Sequence, residues 1–204
     1  LFILSQLKKT KNDIGFLATA SEDDDEKIEK FYKKFENNNS ELSHFNLTSS
    51  VNSFSEWLLS KDLVYVGGGN TSFMLEIWRK NNFEQLFKIA YEKGIILSGV
   101  SAGAVCWFDW ILSDSMGLGF KPLKGINLIE GSCTPHSSNI ERINEFKLNI
   151  KNNKLPNGIA IDDGVAVVFI DGKPTEVYST VDNQGAYFLD KNKKINLKEY
   201  IKNR

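Results

Sequence analysis

Ser101 lies in the segment whose residue types and spacing most clearly predict a catalytic residue. Residues 99–103 are Gly-Val-Ser-Ala-Gly and fit the G-x-S-x-G pattern of a nucleophile elbow. The apolar run 95–97 before them predicts a buried strand, and the small residues after Ser101 are compatible with a helix. A serine at such a turn presents its hydroxyl clear of the sheet, and the backbone N–H of Ala102 can face a developing oxyanion. The pattern therefore predicts a serine nucleophile, with an inert contact between strand and helix as the alternative.

Three consecutive glycines, Gly67 to Gly69, follow another predicted buried strand at residues 63–66. Glycine lets backbone N–H groups turn inward without obstruction by a Cβ atom. We assign the N–H of Gly69 as the second donor of an oxyanion hole, beside that of Ala102. A phosphate or dinucleotide loop would need G-x-G-x-x-G or G-x-x-x-x-G-K-[ST], and neither pattern is present. A tight turn without chemistry is the remaining alternative.

An activated serine needs a general base, and the chain has two histidines. His44 precedes ordinary polar residues, so we expect a structural or surface role for it. His136 lies in the predicted loop 133–138 and is the candidate base, although a lone histidine in a loop can also be surface decoration.

The histidine in turn needs an orienting carboxylate, and two aspartates are candidates. Asp163 follows the predicted strand 158–161, and open parallel sheets place functional groups at the carboxyl ends of their strands. Asp114 lies between Ser101 and His136 in the sequence. With Asp163 as the acid the chain order is Ser, His, Asp, which argues against an ordinary α/β hydrolase with its order Ser, Asp, His.

Four segments together resemble the peptidase E family of serine peptidases, which also includes the cyanophycinases. They are Val-Gly-Gly-Gly-Asn-Thr at 66–71, Gly-Val-Ser-Ala-Gly-Ala at 99–104, Pro-His at 135–136, and the strand-plus-acid segment 158–168. The resemblance implies a fold like that of the class I glutamine amidotransferases, with the nucleophile on a strand-to-helix elbow.

The same resemblance implies roles for individual residues. It makes Ser101 the nucleophile, His136 the base and Asp163 the acid, and it implies neither a metal nor an organic cofactor. Asp114 falls near an aspartate of the peptidase E branch and is the alternative acid. That branch is known for dipeptides with an N-terminal aspartate. Arg142, on a predicted helix after His136, is the nearby cation that we would test for substrate binding.

The elements that must position these residues are buried strands alternating with amphipathic helices. This alternation predicts an α/β fold with a doubly wound, mainly parallel sheet flanked by helices. Near the C-terminus, Asp171-Gly172 predicts a hairpin, so we expect antiparallel strands that extend the same sheet. Ser21 is the expected N-cap of the first helix. We expect residues 1–204 to form a single domain. The predicted strands lie at 1–4, 14–20, 44–48, 63–66, 95–97, 158–161, 165–170, 176–178 and 185–189.

Composition narrows the classes of partner. The balance of 25 Lys and Arg against 26 Asp and Glu predicts no nucleic-acid surface and no binding to an anionic membrane. Cys106 and Cys133 have neither disulfide nor metal-site spacing, so we expect small buried side chains in a reducing compartment. No apolar run approaches the ~18 residues of a membrane span, and no signal peptide is evident, so we expect a cytoplasmic protein.

The leading hypothesis is a cytoplasmic serine peptidase whose partners are small peptide substrates, including dipeptides with an N-terminal aspartate. A non-peptide amidase or esterase would use the same residues on another acyl substrate. A non-catalytic binding domain of the same fold would keep the elbow without an activated serine.

Overall fold

The computed structural model describes residues 2–7, 9, 11–36, 39–46 and 51–202. The chain divides into two compact units, residues 1–104 and residues 105–204, each with its own main sheet. The single domain expected over residues 1–204 is not tested by this division and stays a prediction. Among the described residues, no helix is long and apolar enough to cross a membrane.

A parallel four-stranded sheet is the centre of the first unit. Its strands are β1 (Asn12–Leu17), β2 (Ser40–Phe45), β3 (Leu63–Val66) and β4 (Ile96–Gly99), with the helices α1 (Asp25–Phe35), α2 (Val51–Leu59), α3 (Thr71–Lys80), α4 (Phe83–Glu92) and the short α5 (Ala102–Val105). The strand order is β2-β1-β3-β4. Because Leu17 pairs with Val66 and Val66 with Gly99, the carboxyl ends of β1, β3 and β4 meet at one edge of the sheet.

The helices of this unit bury apolar stripes, as their periodicity predicts. On α1, Ile28, Phe31 and Phe35 are buried with Ile14 and Phe16 of β1 in one core cluster. The rings of Phe16 and Phe31 stack with their centroids 4.8 Å apart. This packing fixes α1 against the sheet, close to the edge where the loops after β1 and β3 emerge.

The N-cap predicted for α1 was wrong. Asp24, rather than Ser21, is the cap, and its carboxylate accepts the N–H of Lys27 at 2.9 Å. The hydroxyl and the N–H of Ser21 instead donate to the carbonyl of Ala18, at 3.0 and 2.9 Å, within a 3-10 turn that precedes the helix. A local side-chain bond to the backbone thus competed with the capping role.

The strand predicted at residues 1–4 was also wrong. Phe2–Gln6 is a 3-10 helix, and Leu1 lies outside the described residues. Both sides of β1 are already paired, to β2 and β3, and Ile3 and Leu4 pack on the core cluster without entering the sheet. The strand predicted at 44–48 is observed as β2, which ends at Phe45, and Leu47 and Thr48 lie outside the described residues.

A mixed six-stranded sheet is the centre of the second unit. The elements of this unit are β5 (Phe108–Ser113), β6 (Lys121–Lys124), β7 (Ile129–Thr134), α6 (Ile140–Lys151), β8 (Gly158–Ile161), β9 (Val165–Ile170), β10 (Lys173–Ser179), β11 (Ala186–Leu189), β12 (Lys194–Asn196) and α7 (Leu197–Lys202). The strand order is β12-β11-β8-β7-β5-β6. The central strands β8, β7 and β5 are parallel, whereas β6, β11 and β12 are antiparallel to their neighbours.

The C-terminal strands only partly follow the prediction. β11 and β12 extend the sheet in antiparallel fashion, but β9 and β10 form a separate two-stranded sheet. The hairpin predicted at Asp171-Gly172 joins β9 to β10, with φ of +50° and +71° at these two residues. The predicted α/β class, with a mainly parallel sheet flanked by helices, is confirmed.

Candidate active site

Ser101 has the strained backbone that a nucleophile elbow requires. It is separated from β4 only by Val100 and directly precedes α5, and its φ is +53°. A non-glycine residue in this left-handed region costs about 1–3 kcal/mol and persists only where the surrounding structure enforces it. The turn is therefore sharp, and it places the serine between the end of a parallel strand and the start of a helix.

Two glycines allow the elbow to lie against β3. A Cβ atom added at Gly99 or at Gly103 would overlap the carbonyl oxygen of Val66. The N–H of Val100 donates to this same carbonyl at 3.1 Å. Side chains at the two glycine positions would push the elbow off the neighbouring strand, so the spacing of the motif is a packing requirement.

The glycine loop after β3 lies beside Ser101. A Cβ atom added at Gly68 would stand 3.1 Å from the Cβ of Ser101 and 3.8 Å from its Oγ. Gly69 has a φ of +151°, and a Cβ there would overlap the carbonyl oxygen of Ala20. The N–H of Asn70 donates to that carbonyl at 2.7 Å. The loop is thus held against the segment after β1, with no room for a side chain at Gly69.

Backbone donors are available at this edge of the sheet. Within the part of the chain that the structure describes, neither the N–H of Gly69 nor that of Ala102 donates a hydrogen bond. Lys27 donates from Nζ to the carbonyl of Gly68 at 3.0 Å. Since the peptide group is planar and trans, this contact turns the N–H of Gly69 away from Lys27.

His136 and Asp163 form a close pair in the second unit. His136 Nδ1 lies 2.5 Å from Asp163 Oδ1, and the hydroxyl of Ser138 donates to Asp163 Oδ2 at 3.2 Å. The hydrogen bond from His136 is the main cause that lowers the pKa of Asp163, and partial desolvation opposes it. The carboxylate is therefore ionised at neutral pH and accepts from Nδ1–H, which leaves Nε2 as the basic nitrogen.

Asp114 and Arg142 are paired with each other. Arg142 Nη2 lies 2.6 Å from Asp114 Oδ2, and Nη1 donates to the carbonyl of Leu112 at 3.4 Å. The guanidinium stacks on Phe120, 4.6 Å from the ring centroid, and the Arg142 side chain is only 7% exposed. These contacts favour a structural role for both residues. The carboxylate of Asp114, the alternative acid, and the guanidinium of Arg142, the candidate for substrate binding, already neutralise each other.

Asp162 is a buried acidic residue to which sequence reasoning gave no role. It is 7% exposed, and it accepts the hydroxyl of Ser137 at 2.5 Å and the N–H of Gly185 at 3.0 Å. The sequence feature that could have drawn attention to it is the pair Asp162-Asp163 at the end of a strand. Successive side chains of a strand point to opposite faces, so the two aspartates are expected in different surroundings.

The two cysteines and His44, which were also considered in the sequence, lie in surroundings that suit structural roles. Burial raises the pKa of the Cys106 and Cys133 thiols, so both are protonated and inaccessible, as their predicted burial implies. His44 Nδ1 is hydrogen-bonded to the hydroxyl of Tyr32 at 2.9 Å, in line with its expected structural role.

The fold and the serine elbow define a class of hydrolase, and comparison with known proteins identifies the family. The chain belongs to peptidase family S51, whose family model matches residues 2–177. It is 34% identical over 188 residues to the uncharacterized peptidase YgaJ of Bacillus subtilis strain 168, covering 91% of this chain and 81% of that relative. The protein is therefore a serine-type peptidase.

Two solved structures share the fold at low sequence identity. A protein of Listeria monocytogenes EGD-e described as a candidate peptidase E superposes with a TM-score of 0.59 at 20% identity, covering 95% of this chain and 90% of its own. A peptidase from an acI-B1 actinobacterium gives a TM-score of 0.67 at 16% identity, covering 89% of this chain and 79% of its own.

Proposed function

We propose that this peptidase hydrolyses small peptides through a triad of Ser101, His136 and Asp163. Ser101 Oγ attacks the carbonyl carbon of the scissile amide, and His136 Nε2 accepts the hydroxyl proton as the bond forms. The imidazolium then protonates the leaving amine. Water hydrolyses the acyl-enzyme by the same sequence, with His136 again as general base. Asp163 keeps the proton on Nδ1 and stabilises the imidazolium.

The observation that carries this proposal is the left-handed conformation of Ser101 at the end of β4. Such strain in a serine is maintained by the close contact of Gly99 and Gly103 with β3. The pairing of His136 with Asp163 supports the roles of base and acid, because the carboxylate favours the tautomer that carries its proton on Nδ1, in which Nε2 is the basic nitrogen.

The N–H groups of Gly69 and Ala102 are the proposed oxyanion donors. Neither is used by another hydrogen bond among the described residues, so both can donate to the negative oxygen of the tetrahedral intermediate. One such donor contributes about 2.7–4 kcal/mol to transition-state stabilisation. The contact of Lys27 with the Gly68 carbonyl supports this role by fixing the peptide that carries the Gly69 N–H.

The proposed substrates are short peptides, with dipeptides bearing an N-terminal aspartate first among them. Resemblance to peptidase E supports this preference, and membership of a peptidase family supports amide rather than ester substrates. We do not assign Arg142 to substrate binding, because its guanidinium is buried and paired with Asp114.

A dipeptide library tests the proposal. Liberated amino acids are quantified for peptides that vary in the N-terminal residue, alongside matched aryl esters and non-peptide amides. We expect hydrolysis of dipeptides with the highest kcat/KM for N-terminal aspartate, and no hydrolysis by Ser101→Ala. Turnover confined to the esters or the non-peptide amides would contradict the peptidase assignment, and a different preferred N-terminal residue would contradict the specificity.

A further inference from the structure

His136 has a backbone conformation that needs enforcement. Its φ is +52°, in the left-handed region that a non-glycine residue keeps only where neighbouring contacts hold it. The next residue supplies two such contacts. The N–H of Ser137 donates to the carbonyl of Ile161 at 3.0 Å, and its hydroxyl donates to Asp162 Oδ1 at 2.5 Å. The segment that carries His136 is thus fastened to the end of β8.

Asp162 is itself rigidly held. Its second carboxylate oxygen accepts the N–H of Gly185 at 3.0 Å, and its own N–H donates to the Gly185 carbonyl at 3.0 Å. Asp162 and Ser137 are 7% and 5% exposed, so water competes poorly for these bonds. In such surroundings hydrogen bonds are stronger, and an unsatisfied carboxylate oxygen is strongly unfavourable. The contact between Ser137 and Asp162 is therefore persistent.

We propose that Asp162 is a positioning residue for the catalytic histidine. Through the hydroxyl of Ser137, its buried carboxylate holds the backbone of His136 in the left-handed conformation, so that Nδ1 meets Asp163. The tandem aspartates then divide two tasks: Asp163 contacts the imidazole, and Asp162 fixes the chain that carries it. This inference rests on the proposed function, since it takes His136 to be the general base.

Ser137→Ala removes the contact with little change in shape. We expect kcat to fall about 10²-fold with a smaller change in KM, because a displacement of about 1 Å of a catalytic group has that effect. The proton on His136 Nδ1, observed by NMR in the ¹⁵N-labelled protein, should broaden or disappear as its bond to Asp163 loosens. His44 is the internal reference, since the chain has two histidines. Ser137→Thr restores a hydroxyl and should recover both the kcat and the NMR signal of the His136 Nδ1 proton.

Ser132→Ala is the matched control. Ser132 is fully buried in the same unit, and its hydroxyl donates to the carbonyl of Pro156 at 2.7 Å, so its loss tests general destabilisation. We expect a lower Tm with an unchanged His136 proton and unchanged turnover per folded molecule. Asp162→Ala should reproduce the Ser137→Ala result from the other side of the contact. If Asp162→Ala does not fold, Ser137→Ala alone decides.

Two results would overturn the inference. One is a Ser137→Ala protein with the wild-type His136 proton and wild-type kcat. The other is the same loss of signal in Ser132→Ala, which would make the effect one of stability alone. Failure of the proposed function is distinguishable, because a wild-type protein without peptidase activity would still report the His136–Asp163 bond by NMR.

Discussion

At the scale of single residues, substitutions of Ser101 should affect activity and stability differently, because the backbone of this residue is strained. Replacement by Ala removes the nucleophile and should lower peptide hydrolysis on the order of 10⁶-fold while the fold is retained. Replacement by Gly should abolish activity equally but give a more stable protein than Ala, by roughly 1 kcal/mol, because glycine adopts a φ near +53° without penalty. Urea denaturation of both variants measures the difference. A Gly variant no more stable than the Ala variant would show that the elbow is not strained in solution.

Asp163 and Asp114 should differ sharply when each is replaced by Asn. Asp163→Asn stabilises the wrong tautomer of His136 and should slow catalysis on the order of 10⁴-fold. Asp114→Asn should mainly lower stability, because its charge faces Arg142 and not the histidine. The measurement is kcat/KM per folded molecule for both variants, and the reverse ranking would remove Asp163 from the triad.

The pH dependence of stability provides a separate test of the His136–Asp163 pair. Hydrogen bonding from His136 depresses the pKa of Asp163 in the folded protein below its ordinary value of 3.8. A depressed pKa means that the contribution to stability is complete above the unfolded value and is lost as the pH falls through the folded value. The wild type should therefore be more stable than Asp163→Asn at about pH 5, and the difference should shrink below pH 3.8. A difference that is independent of pH would contradict the pair.

At the scale of elements, the glycine loop after β3 distinguishes an oxyanion donor from a plain turn. Gly69→Ala places a Cβ against the Ala20 carbonyl, so the loop must move and the Gly69 N–H with it. Loss of this donor should reduce kcat about 10²–10³-fold. Labelling of Ser101 by a fluorophosphonate should decline less than turnover, because the serine and its base remain.

Gly94→Ala is the matched control for that experiment. Gly94 follows Lys93, the C-cap of α4; its φ is +81°, and a Cβ there would have no heavy atom within 4 Å. The variant is therefore destabilised by the positive φ of residue 94, but its side chain displaces no neighbour. It should lose stability and keep its turnover. Near-normal turnover in a destabilised Gly69→Ala protein would instead show that the loop is only structural.

At the scale of the whole molecule, the features that could be predicted from the sequence are those that depend on residues close together in the chain. The apolar runs before Gly67 and Ser101 are parallel neighbours, β3 and β4, and this register is why the two glycine-containing motifs converge. The helical stripe on α1 and the Asp171-Gly172 hairpin were also predicted, since each depends on local periodicity or turn chemistry. The contact of His136 with Asp163 agrees with one of the two alternatives that the sequence left open, since Asp114 was the other candidate acid.

Other features depend on contacts that single-sequence patterns do not reveal. The strands β5, β6 and β7 were not predicted, and Lys121–Lys124 in β6 has no apolar alternation to mark it. The burial of Arg142 follows from its partner Asp114, which is distant in the sequence. Asp162 and Asp163 look equivalent in sequence, and only the tertiary neighbours Ser137 and His136 distinguish them.

The central claim is that Ser101 is an activated nucleophile, and mapping a covalent adduct tests it most directly. The folded protein is treated with a fluorophosphonate, and the modified peptide is identified by mass spectrometry. We predict one adduct per molecule, on Ser101, which is lost in Ser101→Ala and formed far more slowly in His136→Ala. An adduct on a different residue, or a Ser101→Ala protein that still hydrolyses peptides at the wild-type rate, would contradict the account.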